Sequence, residues 1–393
     1  MPFVRRLRGA PFSWLKSIPL LVSLNGMAPV LAASSGQSQS SPSSYGSGPW
    51  LFHYLVALTA GLSFLVLVND QVTRRANRDP HESLAKEAFR LRRIVIGYPE
   101  GMTIFEELRA SNLLERRFSS LGLVTEWRSY PSASSLLNDL SLGKIQFCGG
   151  GGTASIFSQA AHHLFYRVAC EKYPELDAQA ILVQPNSGIS KLSDLRGLRI
   201  AYDEGSSAHY VLVRALQSAS ISYNEIQHCH LPQQDALPLF VAGRVDAWVV
   251  WMPYALTEQR SSYPGRSIGD LRATLGESAL DDVPTLYYAT PELICDYPRI
   301  LKAILEEVNE AGVLVNQHRL ETALHDSSPD RQQSQLEVLR QRSLERALVP
   351  LDEKTLGALQ QQANLFHQLG ILSERVNVRD SACSLRTRQN WTY

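Results

Sequence analysis

The sequence predicts an α/β protein built from two similar, doubly wound lobes with a ligand cleft between them. Two observations carry that expectation. The first is an internal echo. "RIVIGYPEGMT" (93–103) is answered by "RIAYDEGSS" (199–207), which places Tyr98 against Tyr202 and Gly101 against Gly205, each 104 residues apart. "SLGKIQF" (141–147) is then answered by "VAGRVDA" (241–247), with Gly143 and Gly243 100 residues apart. One short apolar word recurs by chance; two pairs in the same order at nearly the same offset point to a repeated unit. The second observation is alternation. Each unit reads as strand, turn, helix, then a further helix ending at Gly-basic before another strand, and such alternation implies parallel sheets with helices on both faces.

The elements follow in order from Leu91. Ala208 to Ala219 places Ala208, Val211, Leu212, Ala215, Leu216 and Ala219 on one helical face, with Ser206 or Ser207 positioned to cap it. Leu301 to Gly312 repeats the pattern with Leu301, Ile304, Leu305 and Val308. Between them, "IQFCGGGGTASIF" (145–157) sets four consecutive glycines between a strand at 145–148 and a helix at 153–161. Gly149, Gly151 and Ala154 fit the spacing G-x-G-x-x-A, yet a run of glycine satisfies many such patterns, and this one does not open a βαβ unit. It is no P-loop, because no Lys-Ser/Thr follows. What remains is either a glycine turn or a place where a ligand meets bare backbone: Gly150, Gly151 and Gly152 expose N–H groups at a helix start that favours an anion, and Thr153 adds a hydroxyl.

A second helix start, "EGSSAH" (204–209), sets Ser206, Ser207 and His209 across the expected cleft. "VDAWVVWMPY" (245–254) ends a strand in Trp251 and Tyr254, which can wall an apolar part of a ligand or pack in the core. "HCH" (228–230) would place two imidazoles on one strand face, but no third metal ligand is identifiable. Composition removes other classes. Thirty-eight basic residues balance 38 acidic ones, so no nucleic-acid footprint exists, and the five cysteines contain no C-x-x-C pair. No metal, no cofactor and no catalytic triad or carboxylate pair is expected.

The N-terminal region is separate from this body. Residues 1–33 are signal-like or cytoplasmic, 34–49 form a Ser/Gly linker, and 50–68, "WLFHYLVALTAGLSFLVLV", carry no charge over nineteen residues, enough for a membrane anchor. Arg74, Arg75 and Arg78 just after that run favour a cytoplasmic body on local charge, although large domains translocate regardless.

"GYPEGMT", "SLGKIQFCGGGGTASIFSQAA", "SKLSDLRGLRIAYDEGSSAHYVLVRAL", "LPQQDALPLFVAGRVDAWVVWMPY" and "ANLFHQLGILSERVNV" together resemble the periplasmic substrate-binding proteins of nitrate, taurine and aliphatic-sulfonate ABC importers, over about residues 93–384. The resemblance implies a type II periplasmic-binding-protein fold with two crossovers, lobe one at 90–183 plus 287–393 and lobe two at 184–286. It implies a non-catalytic receptor outside the cytoplasm that passes a small organic anion to permease and ATPase subunits. Tyr98, Thr103, Gly150, Gly151, Gly152, Thr153, Ser206, Ser207, His209, Trp251 and Tyr254 would surround the ligand. Enzymes on the same fold, pyrimidine-synthase-like or chorismate-dehydratase-like, and a membrane-tethered sensor are the alternatives. The chain departs from its relatives at Pro99, at the glycine loop (T-T-G-E-T-P in sulfonate binders) and at Trp251-Met252-Pro253, departures that imply a bulkier or more apolar ligand.

Overall fold

The echo becomes two sheets with matching strand orders. The computed structural model describes residues 83–172, 179–251, 265–270, 283–325, 340–341, 345 and 347–383; all belong to one unit, Thr73–Tyr393. In chain order the elements are α1 (Leu84–Leu91), β1 (Arg93–Pro99), α2 (Thr103–Ala110), α3 (Leu113–Phe118), β2 (Val124–Tyr130), α4 (Ala133–Ser141), β3 (Phe147–Gly151), α5 (Gly152–Ala160), β4 (Tyr166–Glu171) and β5 (Gln179–Val183). There follow β6 (Arg199–Tyr202), α6 (Ser207–Ser218), β7 (Gln227–His230), α7 (Gln233–Val241), β8 (Ala247–Trp251), β9 (Arg266–Asp270), β10 (Thr285–Ala289), α8 (Pro291–Asp296), α9 (Pro298–His325), β11 (Leu348–Val349) and α10 (Glu353–Gln368). The proposed signal, linker and membrane run (1–68) lie outside the described residues, among which no helix is long and apolar enough to cross a membrane.

The first sheet has the order β11-β4-β10-β3-β1-β2 and the second β7-β6-β8-β5-β9. Apart from the short edge strand β11, the two superpose in sequence logic, with β1, β2 and β3 answered by β6, β7 and β8. The echo holds to the residue. Ile96 faces Phe147 in one sheet as Ile200 faces Ala247 in the other. Gln146 N–H donates to Val95 O as Asp246 N–H donates to Arg199 O. Gly101 and Gly205 both take positive φ (83° and 73°), as do Gly143 and Gly243 (70° and 66°), a conformation that costs glycine little and any other residue more.

The sheets are mixed rather than wholly parallel. Strands β2-β1-β3 and β7-β6-β8 run parallel, but β10 lies antiparallel to β3 and β4, and β5 antiparallel to β8 and β9. The cause is the pair of crossovers: β5 and β10 are where the chain enters the opposite sheet, and each arrives running against its neighbours. Since β5 joins the second sheet from Gln179 and β10 the first from Thr285, the crossovers fall before these strands, and the sequence-based boundaries at 183/184 and 286/287 lie at or inside them.

Apolar packing joins the lobes at the rear. One core cluster holds Leu136, Ile156 and Phe165 from beside the first sheet, Ile200, Tyr210 and Leu212 from the second, and Leu359 and Phe366 from α10. Phe157 stacks edge-on against Phe366 (5.0 Å), and Phe366 lies 5.0 Å from the His209 ring.

Candidate ligand cleft

The carboxyl ends of the two parallel strand triplets face one cavity of about 140 Å³, where ligands of open α/β sheets bind. Its walls are the starts of three helices: Met102 and Thr103 of α2, Gly150, Gly151 and Ala154 at the entry to α5, and Ser206 and Ser207 at the entry to α6. Pro99, Ala133, Val283 and Trp251 supply apolar lining, and Glu100, Glu171, Gln179 and Thr285 the polar remainder. Among the described lining residues there is no basic side chain, no histidine and no cysteine. An anion here would be held by helix starts and hydroxyls, whose N–H groups carry partial positive charge.

The four glycines are set apart by what surrounds them. The junction lies later than the sequence suggests, because pairing with β10 draws Gly149, Gly150 and Gly151 into β3, opposite Tyr287, Leu286 and Thr285. A Cβ on Gly149 would sit 2.5 Å from Phe105 Cε2, and one on Gly152 would sit 2.7 Å from Leu359 Cδ2 and 3.0 Å from Pro284 O. These two are packing glycines. Gly150 and Gly151 have room, their nearest neighbours being Ala133 and Ser207 at 3.6 Å. The approach of Gly151 to Ser207 brings the two opposed helix starts together across the cleft.

Behind each wall lies a different support. Ser155 Oγ donates to Gly152 O (2.6 Å) and accepts from Arg167 Nε (2.9 Å), while Arg167 also donates to Ser155 O, Gln159 Oε1 and Val378 O. Arg167 is fully buried, forms no ion pair among the described residues, and burial pulls its guanidinium down to about 10, so it stays charged at neutral pH. In lobe two, Ser206 caps α6 by accepting from His209 N–H and donating to Asp203 O (2.6 Å). His209 Nδ1 accepts from Gly205 N–H (3.2 Å), which puts the proton of the neutral ring on Nε2, toward Tyr223 Oη at 2.9 Å. Burial holds this imidazole down to about 3. Tyr223 in turn meets Tyr202, whose hydroxyl stands 2.9 Å from both His228 Nδ1 and His230 Nε2. The two imidazoles of "HCH" thus share a tyrosine hydroxyl, and no metal-competent cluster occurs among the described residues.

Of the residues singled out from sequence, the cavity gathers Thr103, Gly150, Gly151, Ser206, Ser207 and Trp251. Four others are turned elsewhere. Tyr98 is buried in lobe one, accepting from Arg109 (2.6 Å) and stacked on Phe105. The Gly152 N–H is taken by Pro284 O, and the Thr153 hydroxyl by Gln362 Oε1 (2.8 Å). His209 braces the loop behind Ser206. Tyr254 lies outside the described residues. Sequence reading passed over Met102, Ala133, Glu171, Gln179, Val283 and Thr285. Gln179 and Thr285 had a usable signal, since each is the first residue of a crossover strand and the two correspond between lobes.

Comparison with known proteins follows the same lines. Residues 173–311 match the family model described as NMT1/THI5 like. Over 288 residues, 72% of this chain and 86% of the relative, the sequence is 27% identical to a protein of Escherichia coli (strain K12) named for aliphatic sulfonate binding. The alkanesulfonate-binding protein SsuA of Xanthomonas axonopodis pv. citri, solved bound to MOPS, is 26% identical and superposes with a TM-score of 0.63, covering 74% of this chain and 98% of that one. A Cys-to-Ser mutant of the desulfurization enzyme DszB, solved with biphenyl-2-sulfinic acid and 15% identical at a TM-score of 0.51, shares the fold, so the architecture also occurs in an enzyme. With its two crossovers and matched sheets, the chain shares the periplasmic-binding-protein fold of the aliphatic-sulfonate binders and is similar over residues 173–311 to the NMT1/THI5-like proteins.

Proposed function

We propose that this chain is the solute-binding component of an ABC importer, closing its lobes on a small organic anion of the aliphatic-sulfonate kind and delivering it to a permease and its ATPase. The observation that carries the reading is the meeting of two helix starts, at Gly151 and Ser207, across a cleft whose described lining has no basic side chain. Thr103, Gly150, Gly151 and Ser207 would receive the anionic head, with Ser206 holding the start of α6 in place. Trp251 and Met102 would flank the carbon chain. Arg167, held behind the first turn of α5, adds a buried positive charge that would favour an anion in the cleft. The receptor reading is favoured over an enzyme because no thiol or imidazole lines the described cleft, and Cys148 beside the glycines is fully buried with its thiol pushed well up. The body would work on the extracytoplasmic side, tethered through 50–68.

A ligand that binds only the native state raises stability by about 2.7 kcal/mol at a hundred times its Kd. Melting the full chain with butane-1-sulfonate, taurine, nitrate and pentanoate tests the reading. A rise with at least one sulfonate and no turnover is expected; an unchanged melting temperature across the panel would sink the sulfonate assignment.

A further inference from the structure

We propose that Glu100 and Gln234 form a latch at the rim of the cleft, which holds the two lobes together and slows the escape of a bound anion. The inference rests on the receptor reading and assigns the residues that set how long the ligand stays. Gln234 Nε2 donates to Glu100 Oε2 (3.0 Å), and this bond joins the lobes: Glu100 follows β1 of the first sheet, and Gln234 lies in the first turn of α7, which follows β7 of the second. Glu100 lines the cavity, and both residues are exposed, as a contact at the rim requires. A carboxylate beside an anion site opposes the ligand by charge, so its hydrogen bond to Gln234, rather than contact with the anion, is the role that fits it.

Each partner is mounted on a turn tied to its own lobe. Glu100 N–H donates to Tyr130 O at the end of β2 (3.2 Å), and Gly101 N–H donates to Glu106 Oε1 in α2 (3.2 Å). Across the cleft, Gln233 Nε2 donates to Val249 O of β8 (3.2 Å), and Pro232 O accepts from the N–H groups of Asp235 and Ala236 (both 3.0 Å), so the start of α7 moves with the second sheet. Relative movement of the lobes is then what breaks the bond. The sheet orders also set this contact far from the crossovers. β1 lies two strands from β10, and β7 lies three strands from β5, roughly 10 Å and 14 Å at the usual strand spacing. Gly151 and Ser207 belong to β3 and the turn after β6, one strand nearer in each sheet. Rotation about the crossover strands therefore separates Glu100 from Gln234 farther than it separates the two helix starts, and a modest hydrogen bond there resists opening with a long lever arm.

The repeat supplies an internal control. Glu204 is the echo of Glu100 at the 104-residue offset, and it too follows a parallel strand, β6. Its carboxylate instead meets His230 Nδ1 of its own lobe (3.0 Å). One echoed carboxylate reaches across the cleft and the other does not, so only the first should govern closure.

Stopped-flow binding of butane-1-sulfonate to the full chain tests this. Gln234→Ala, which leaves every charge in place, should speed dissociation by about fivefold, as the loss of one hydrogen bond to a charged group does, and leave association within about twofold. In a Glu100→Ala background the same replacement should have no further effect, whereas in a Glu204→Ala background the fivefold change should persist. Glu100→Gln, whose amide oxygen still accepts, should keep the slow dissociation. Unchanged dissociation in Gln234→Ala, or an equal effect of that replacement with and without Glu100, overturns the proposal. Amide hydrogen exchange gives a reading that needs no ligand: Gln234→Ala should quicken exchange at Gly101, and Glu100→Ala at Asp235, each in the lobe that was not altered. If butane-1-sulfonate does not bind, the sulfonate reading falls, and faster exchange across the cleft keeps the latch. If exchange then changes only in the altered lobe, both fall.

Discussion

The two walls of the cleft begin from the same secondary structure and present opposite chemistry. In lobe one, β3 enters α5 through Gly150 and Gly151, and the wall is bare backbone; in lobe two, the chain leaves β6 and enters α6 through Ser206 and Ser207, and the wall carries hydroxyls. Their supports differ as well. A buried cation, Arg167, ties the first turn of α5 to the segment at Val378, whereas a neutral chain of His209, Tyr223 and Tyr202 stands behind α6. Topology was duplicated without duplicating the way each wall is held. Lobe one should therefore be broken by adding atoms at the wall or removing the charge behind it, and lobe two by removing atoms.

The largest effect is expected at Arg167. Replacing it with Met keeps much of the volume but strands Ser155 O, Gln159 Oε1 and Val378 O without their donor. Unmade buried hydrogen bonds cost about 1–3 kcal/mol each before relaxation, so a net loss of about 2–4 kcal/mol is expected in urea denaturation of the full chain. A loss under about 1 kcal/mol would mean that packing alone holds α5, and the contrast between the supports would disappear.

Next come the glycines, which also show how far the sequence could be read. The repeat was legible because it rests on local requirements: Gly101, Gly143, Gly205 and Gly243 occupy left-handed positions that glycine suits, and the strand words between them are apolar and short. A serine cap was legible before a periodic apolar run, though the sequence left it open between Ser206 and Ser207, and the structure gives it to Ser206. The roles within the glycine run were not legible, because they depend on partners far along the chain. Gly149 is glycine because Phe105 and Tyr287 cover it, Gly152 because Leu359 and Pro284 do, and neither contact has a local signature. For the same reason Tyr98 and Thr153 looked like ligand groups although Arg109 and Gln362 occupy them. Gly149→Ala should cost about 1–3 kcal/mol by overpacking. Gly151 has φ −60° and ψ 137°, conformations alanine accepts, so Gly151→Ala should leave the melting temperature unchanged or slightly higher. Gly151→Val, whose branches would meet Ser207, should weaken ligand binding while the fold persists. Equal destabilisation by the two alanines would erase the distinction between packing and cleft glycines.

The smallest and sharpest contrast lies between the two serines of the opposite wall. Ser206 accepts from His209 N–H and donates to Asp203 O, so its hydroxyl belongs to the fold. The Ser207 hydroxyl faces the cavity, near the place a Cβ on Gly151 would occupy, and makes no hydrogen bond among the described residues. Ser206→Ala should therefore remove about 1 kcal/mol of stability, as the loss of a helix cap does. Ser207→Ala should change stability by less than about 0.5 kcal/mol, yet lower affinity for a bound anion by about tenfold, since a hydrogen bond to a charged group is worth about 1.5 kcal/mol or more. Melting curves and calorimetry on the two variants separate the roles. If Ser207→Ala retained full affinity, the anion would rest on the α6 backbone alone, and the two walls would prove chemically alike after all.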